Sequence, residues 1–310
     1  MSQITNTILM IRPVAFRMNE ETAVNNYFQE DIKAKTLDIN SKAQQEFDAF
    51  VTKLRAVGVQ VIVEHDDLSM DTPDSIFPNN WVSFHADGTV GLYPMFAENR
   101  RRERREEIIT RLENEGFHVE GFMDYTPAED EGFFLEGTGS LLLDRVHNKA
   151  YCALSPRADE GLFIEFCEDF EYDPVDFTAN QTVHNQRMPI YHTNVMMALA
   201  ENFAIICLDT IDDKYEKKNV LKHLKESKKE VITISEAQMH QFAGNMLQVK
   251  GKDHTYMVMS EAARSSLTPD QVRAIQKHTK ILSSDLTTIE TCGGGSARCM
   301  MAEVFLPKSK

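Results

Sequence analysis

Short apolar runs alternate with amphipathic stretches along the whole chain. Read as strands, these runs are Ile8–Ile11, Val59–Val63, Trp81–Phe84, Val90–Tyr93, Ser140–Leu143, Ala150–Leu154, Val195–Leu199, Phe203–Leu208, Met246–Val249, Tyr256–Met259 and Cys299–Phe305. Several come as close pairs joined by a turn, as in Trp81–Phe84 and Val90–Tyr93 around the Asp87-Gly88 signal. Between the pairs lie stretches of helical character over 20–30, 42–56, 98–115, 213–226 and 269–278. The last opens on Thr268-Pro269-Asp270, an N-cap followed by proline at the first helical position. The unit is therefore strand pair, helix, strand, recurring about five times at a spacing of roughly 50 residues. Such a period predicts a ring of repeated α/β units in one domain, 1–310, and no Pro/Gly/Ser-rich linker interrupts it. An open, doubly wound sheet is the competing arrangement.

Composition narrows the function. With 33 basic and 48 acidic residues the formal charge is −15. That balance repels phosphate backbones and anionic lipid, so neither nucleic acid nor a membrane is an expected partner. No run approaches the ~20 apolar residues that span a bilayer. The N-terminal MSQITNTILMIRP reads as a first strand rather than a signal peptide. Five cysteines, an odd number without a CxxC pair, argue against a disulfide framework and a cysteine-rich zinc site. They fit a reduced, cytoplasmic setting in which a thiol persists as a nucleophile. A homo-oligomer is compatible with these features.

Four segments carry candidate chemistry. In Glu290-Thr-Cys-Gly-Gly-Gly-Ser-Ala-Arg-Cys, three glycines (Gly293, Gly294, Gly295) allow close backbone approach to a ligand. Cys299 then opens an apolar run beside Arg298, whose charge would favour the thiolate. His192 immediately precedes the run at Val195, where an imidazole suits a cysteine nucleophile as acid or base. Glu136, between apolar residues and two glycines, suits a carboxylate that orients an imidazole. The stiff, Pro-rich loop from Thr72 to Trp81 is the fourth. Singly, each has an ordinary structural explanation: a buried cysteine, a loop histidine, a turn acid, a rigid connection. Jointly they share one position, since each precedes a strand of a different repeat, and in a ring those strand ends converge.

The same residues, in order, resemble the pentein-fold guanidino-modifying superfamily of arginine and agmatine deiminases, amidinotransferases and dimethylarginine hydrolases. The motifs are Pro73-Asp74 with Asn79-Asn80, Asn99-Arg100-Arg101, Glu136-Gly137-Thr138-Gly139, Ser155-Pro156-Arg157, His192-Thr193-Asn194 and the glycine run before Cys299. The N-terminal MIRPVAFRMNEETAVNNYFQ and the PNNW segment look closest to citrulline utilization hydrolases. The resemblance covers about residues 8–306. It implies a five-bladed, pseudo-symmetric α/β propeller of ββαβ units, with Cys299 as nucleophile and His192 as general acid/base. Glu136 stands at the start of the family's EGGD motif, although Thr138 and Ser140 depart from it. Asp74 matches an aspartate that grips substrate N–H groups, while Arg100 and Arg157 match arginines that hold the substrate α-carboxylate. The rest of the arginine-rich run reads as a solvated helix face with Glu98–Arg102 and Arg102–Glu106 pairs.

Two departures set the expected substrate. Asn80 stands where arginine-processing relatives carry aspartate, and Asn194, grouped with the substrate-binding residues, where deiminases have it in His-x-Asp. Both changes remove negative charge, and an amide offers a donor to a ureido carbonyl. The expected ligand is a small ureido or guanidino amino acid, and the expected reaction takes citrulline to ornithine, carbon dioxide and ammonia without metal or cofactor. Arginine deiminase, arginine dihydrolase and dimethylarginine hydrolase-like activity are the enzymatic alternatives. An amino-acid-binding scaffold is the non-enzymatic one. A zinc hydrolase built on His184 and His192 matches no ligand spacing.

Overall fold

Seventeen strands carry the architecture of the computed structural model, which describes residues 2–30 and 36–309. Fifteen of them form five three-stranded sheets of identical construction, each an antiparallel pair with a third strand added in parallel to the second. The first unit joins Val82–Phe84, Thr89–Leu92 and Gly121–Asp124; the second joins Leu141–Asp144, Lys149–Leu154 and Asp173–Thr178. The third joins Met197–Leu199, Phe203–Ile206 and Glu230–Thr233, and the fourth Leu247–Lys250, Thr255–Ser260 and Lys280–Ser284. The fifth draws on both ends of the chain: Ala302–Glu303 pairs antiparallel with Thr7–Arg12, which runs parallel to Gln60–His65.

Parallel neighbours need a crossover, and a helix supplies it in every unit. These are Glu106–Asn114, Glu160–Asp169, Lys214–Glu226, Pro269–Gln276 and Thr36–Ala56. Each buries one face on its sheet; Ile108, Ile109 and Leu112, for example, pack with Val90, Phe84 and Trp81. Burying such a side chain contributes roughly 1.5–3 kcal/mol. Thr268 caps Pro269–Gln276 in a capping box with Gln271, as the Thr-Pro-Asp signal predicts. The remaining two strands, Asn180–Val183 and Gln186–Pro189, form a separate hairpin.

The strand-pair, helix, strand unit is thus observed, with differences in detail. Four of the five parallel third strands have no continuous apolar run in sequence. Each has a single partner strand and buries only some of its positions, so polar residues occupy the rest, as in Asp173–Thr178 where only Val175 and Phe177 are buried. The expected helix over 20–30 is a single turn, Glu20–Ala23. The expected helix over 98–115 divides into Glu98–Arg101 and Glu106–Asn114, because Arg100 and Glu103 turn inward and pair at 2.9 Å. Among the described residues no ion pair joins Arg102 to Glu98 or Glu106; Arg102 donates to the Asn99 and Asp71 carbonyls. Arg104 instead binds Glu129 at 2.5 Å, and Arg105 donates to the His65 carbonyl at 2.7 Å.

The most consequential differences lie at strand onsets. Gly137–Ser140 and Thr193–Met196 are helical turns placed before the strands expected to begin at Ser140 and Val195. The expected Cys299–Phe305 strand shrinks to Ala302–Glu303, and Cys299 lies in the turn ahead of it. Gly244, just before the fourth unit, approaches the third so closely that a Cβ would overlap the Val195 carbonyl oxygen and lie 2.9 Å from Met196 C. We expect Gly244→Ala to cost about 1–3 kcal/mol through this overpacking. A thermal melt checks it, and an unchanged midpoint would mean that the two backbones are free to part.

Candidate active site

The loops that lead into the strand pairs meet around a small cavity lined by residues that include Asp74, Asn80, Arg100, Arg157, His192 and Cys299, with Gly293–Gly295 forming part of its wall. Of the eight site residues expected from sequence, these six line it directly. Glu136 and Asn194 stand behind His192 and Cys299 respectively.

Cys299 is held by a turn in which its N–H donates to the Ser296 carbonyl at 3.0 Å. The sulfur is buried and receives two amide donors, Asn194 Nδ2 at 3.4 Å and Asn245 Nδ2 at 3.1 Å. Asn79, oriented to satisfy its neighbours, donates to the Cys299 carbonyl at 2.7 Å and accepts from Gly139 N at 3.3 Å. Arg298 makes no hydrogen bond to the sulfur, although its charge couples to Cys299 as its position in sequence suggests. Its guanidinium donates to the Met301 carbonyl at 2.8 Å and to Glu303 at 3.0 Å, so its charge is already paired.

His192 and Glu136 form the second part. The Glu136 carboxylate meets His192 Nε2 at 2.7 Å, accepts from Phe96 N at 3.0 Å and lies 3.6 Å from Arg157. Burial pushes the Glu136 carboxyl up, but Arg157, the His192 hydrogen bond and Arg100 outweigh it and bring it down to about 2. Burial pulls His192 down to about 4 against the upward pull of Glu136, so the imidazole is neutral near pH 7. A carboxylate at Nε2 keeps the neutral ring's proton there and leaves the Nδ1 lone pair as the base. His192 Nδ1 and Asn80 Nδ2 are neighbours across Gly139, where a Cβ would overlap the amide and lie 2.9 Å from Nδ1.

Asp74 and Asn80 form the third part. Asp74 Oδ2 accepts from Asn19 at 2.8 Å and Thr22 at 3.1 Å, whereas the buried Oδ1 has no partner among the described residues. Burial raises the Asp74 carboxyl, with Arg100 opposing. An orphaned carboxylate oxygen at a cavity fits a ligand N–H. Asn80 Oδ1 accepts from Arg100 Nη1 at 2.8 Å, which fixes the amide so that Nδ2 is its other end.

The two arginines matched to the substrate α-carboxylate line the cavity, and each already carries protein partners. Arg100 binds Glu103 through Nε at 2.9 Å and Nη2 at 3.0 Å, and also donates to Asn80 and the Phe77 carbonyl. Arg157 donates to Asn25 and, at 2.9 Å, to the Thr22 carbonyl, with its guanidinium 5.0 Å from the Tyr191 ring centre. Arg100 braces Asn80 and Arg157 braces Glu136. Asn194, grouped with the substrate contacts in sequence, donates Nδ2 to the sulfur, and its Oδ1 has no partner among the described residues.

Asn245 was missed. It lies two residues before Leu247–Lys250, the same position that Asn80 holds before Val82–Phe84. Extending the rule of polar residues before strand pairs to the fourth unit finds it. His184, exposed at a hairpin turn, does not join His192. Among the described residues no group of three or more His, Cys, Asp or Glu gathers as metal ligands, and no helix is long and apolar enough to cross a membrane. The chemistry available is a thiol nucleophile, an imidazole base held by a carboxylate, an acceptor for N–H at Asp74 and a donor for oxygen at Asn80.

Residues 12–306 match the family described as N,N dimethylarginine dimethylhydrolase, eukaryotic. The N-terminal domain of ArgZ, an arginine dihydrolase from the ornithine-ammonia cycle in cyanobacteria, solved with bound substrate, superposes with a TM-score of 0.72 at 17% identity, covering 97% of this chain and 99% of that domain. Against full-length ArgZ the TM-score is 0.74 at 16% identity, and the chain spans 41% of its length. A dimethylarginine dimethylaminohydrolase adduct with S-methyl-L-thiocitrulline gives 0.64 at 13% identity, covering 97% of this chain and 99% of that one. At these identities the likeness is one of fold. No curated protein matches the chain significantly.

Proposed function

The chain belongs to the N,N dimethylarginine dimethylhydrolase family of C–N hydrolases acting on guanidino compounds, and from that premise we propose that it hydrolyses the ureido group of citrulline through Cys299. As the sulfur attacks the ureido carbon, the thiol proton passes to His192 Nδ1. The carbonyl oxygen becomes an oxyanion facing the Asn80 amide donor. His192 then returns the proton to the departing amine, the C–N bond breaks, and a thiocarbamoyl enzyme remains. Water, deprotonated by the same imidazole, adds to that carbon; the C–S bond breaks and the proton goes back to sulfur. Ornithine and carbamate result, and carbamate decays to carbon dioxide and ammonia. The same reading takes the five matching units as one closed, five-bladed ring in a single domain. Its support is the identical strand order of the sheets and the fifth sheet's use of both chain ends.

One observation carries the substrate: Arg100 holds Asn80 Oδ1 at 2.8 Å, leaving Nδ2 as the donor beside His192. A ureido oxygen accepts from that amide, whereas a guanidinium nitrogen would set donor against donor. An unmade polar contact in a dry pocket costs about 1–3 kcal/mol, roughly tenfold to a hundredfold in kcat/KM. The unpartnered Asp74 Oδ1 favours a second reading, in which arginine is hydrolysed first and the resulting ureido product next.

Incubation with citrulline and with arginine, with ornithine, citrulline and ammonia quantified by mass spectrometry, tests both. We expect kcat/KM to favour citrulline, and Asn80→Asp to slow citrulline by about tenfold or more while improving relative use of arginine. Wild-type preference for arginine with citrulline as the end product would replace the ureido reading by deimination.

A further inference from the structure

A cysteine attacks as thiolate, and thiolates are ordinarily favoured by a nearby cation, an imidazolium or a helix N-terminus. The cations around Cys299 all have carboxylate partners, and Arg298 reaches the sulfur through its charge alone. Arg100 pairs with Glu103 at 2.9 Å and lies 4.0 Å from Asp74; Arg157 lies 3.6 Å from Glu136; Arg298 pairs with Glu303 at 3.0 Å. His192 is neutral near pH 7, and burial keeps the adjoining Tyr191 phenol protonated. Cys299 itself lies in a turn, not at the start of a helix. A ureido group, being neutral, brings no cation to the sulfur.

What faces the sulfur is amide. Asn245 Nδ2 approaches it at 3.1 Å and Asn194 Nδ2 at 3.4 Å, both buried. Asn245 is also tied to the turn that carries the nucleophile: its Oδ1 accepts from Arg298 N at 3.0 Å and from Cys299 N at 3.4 Å. Its Nδ2 reaches the Asn194 carbonyl at 3.2 Å. One side chain therefore anchors the Cys299 backbone, the Asn194 backbone and the sulfur. We infer that Asn245, with Asn194 beside it, is a catalytic residue whose amide donor stabilises the Cys299 thiolate as the thiol gives up its proton. This rests on Cys299 being the nucleophile, as proposed above, but not on which substrate it attacks.

Asn245→Asp separates anchoring from donation. A carboxylate keeps the acceptor for Arg298 N and Cys299 N and replaces the donor at sulfur with an anion. Iodoacetamide is the probe: it is neutral, and its alkylation of the substrate-free enzyme needs neither Asn80 nor citrulline. Peptide mass spectrometry locates the label. Alkylation at Cys299 should slow by about tenfold at pH 7 in the variant, and its rate–pH profile should move to higher pH, with the thermal midpoint little changed. A wild-type rate and profile in the folded variant would overturn the inference. If the aspartate does not fold, Asn245→Ala decides by the same profile: a shift to higher pH supports the role and an unmoved profile overturns it. Failure of citrulline turnover in the wild type would remove the substrate assignment and leave this result standing, whereas label confined to another cysteine would remove the nucleophile and this inference with it.

Discussion

Cys299→Ser should lower kcat on citrulline by a factor on the order of 10³ or more while the protein stays folded. Serine is nearly isosteric, and its hydroxyl can accept from the Asn194 and Asn245 amides that now meet the sulfur at 3.4 and 3.1 Å. The turn is held by backbone contacts that the substitution leaves alone, from Cys299 N to the Ser296 carbonyl and, in its satisfied orientation, from Asn79 to the Cys299 carbonyl. The loss is chemical: a serine hydroxyl beside a neutral imidazole is a far poorer nucleophile than a thiol. Steady-state kinetics gives the fall, a thermal melt shows the fold, and rapid quenching during turnover places the thiocarbamoyl adduct on Cys299 in the wild type. Adduct on Cys292, with activity lost on its substitution, would transfer the assignment. Cys292 lies in the apolar cluster behind the glycine run, with Phe16, Phe77 and Ile289.

The parts of this site that could be read from sequence are those whose chemistry coincides with a change in backbone pattern. Cys299 follows three glycines, Glu136 precedes two, and His192 stands at the edge of an apolar run. Asn80 and Asp74 lie in a loop stiffened by Pro73 and Pro78. Such marks survive without knowledge of the neighbours, and they place the residues at the onsets of different units. What could not be read depends on partners distant in sequence. Arg100 and Arg157 look like free guanidinium forks until Glu103, Asn80, Asn25 and Glu136 are seen to occupy them. Arg298 is next to Cys299 in the chain, yet its guanidinium serves Glu303. The helical turns Gly137–Ser140 and Thr193–Met196 were hidden for a related reason, since their buried, partly apolar residues look like the first residues of a strand. Third strands such as Gly121–Asp124 alternate in burial and expose Phe122, so they carry no continuous apolar run to detect.

Glu136→Gln should cost a factor on the order of 10³ in kcat with little change in KM, because it alters which imidazole nitrogen carries the proton. Gln can keep an acceptor oxygen toward Phe96 N, now 3.0 Å from Glu136 Oε1. Its amide nitrogen then meets His192 Nε2, donor against donor, where the carboxylate oxygen sat at 2.7 Å. The ring relieves this by moving its proton to Nδ1, the nitrogen beside Asn80 that must act as base. The substitution also leaves Arg157, 3.6 Å away, without its anionic partner. Protein stability reports the same pair through its pH dependence. His192 is held at about 4, below its ordinary 6.5, so below pH 6.5 the unfolded chain binds a proton that the folded one refuses. The stability due to neutral His192 is complete above about pH 6.5 and is lost as pH falls through 4. Glu136, lowered to about 2 from 4.5, contributes above pH 4.5 and loses its contribution as pH falls toward 2. Thermal midpoints of the wild type should therefore decline from pH 6.5 downward; Glu136→Gln should remove the carboxylate's share between pH 4.5 and 2, while the His192 share extends to lower pH because the upward pull of Glu136 is gone. A variant retaining more than a tenth of wild-type kcat would mean that Glu136 does not set the His192 tautomer.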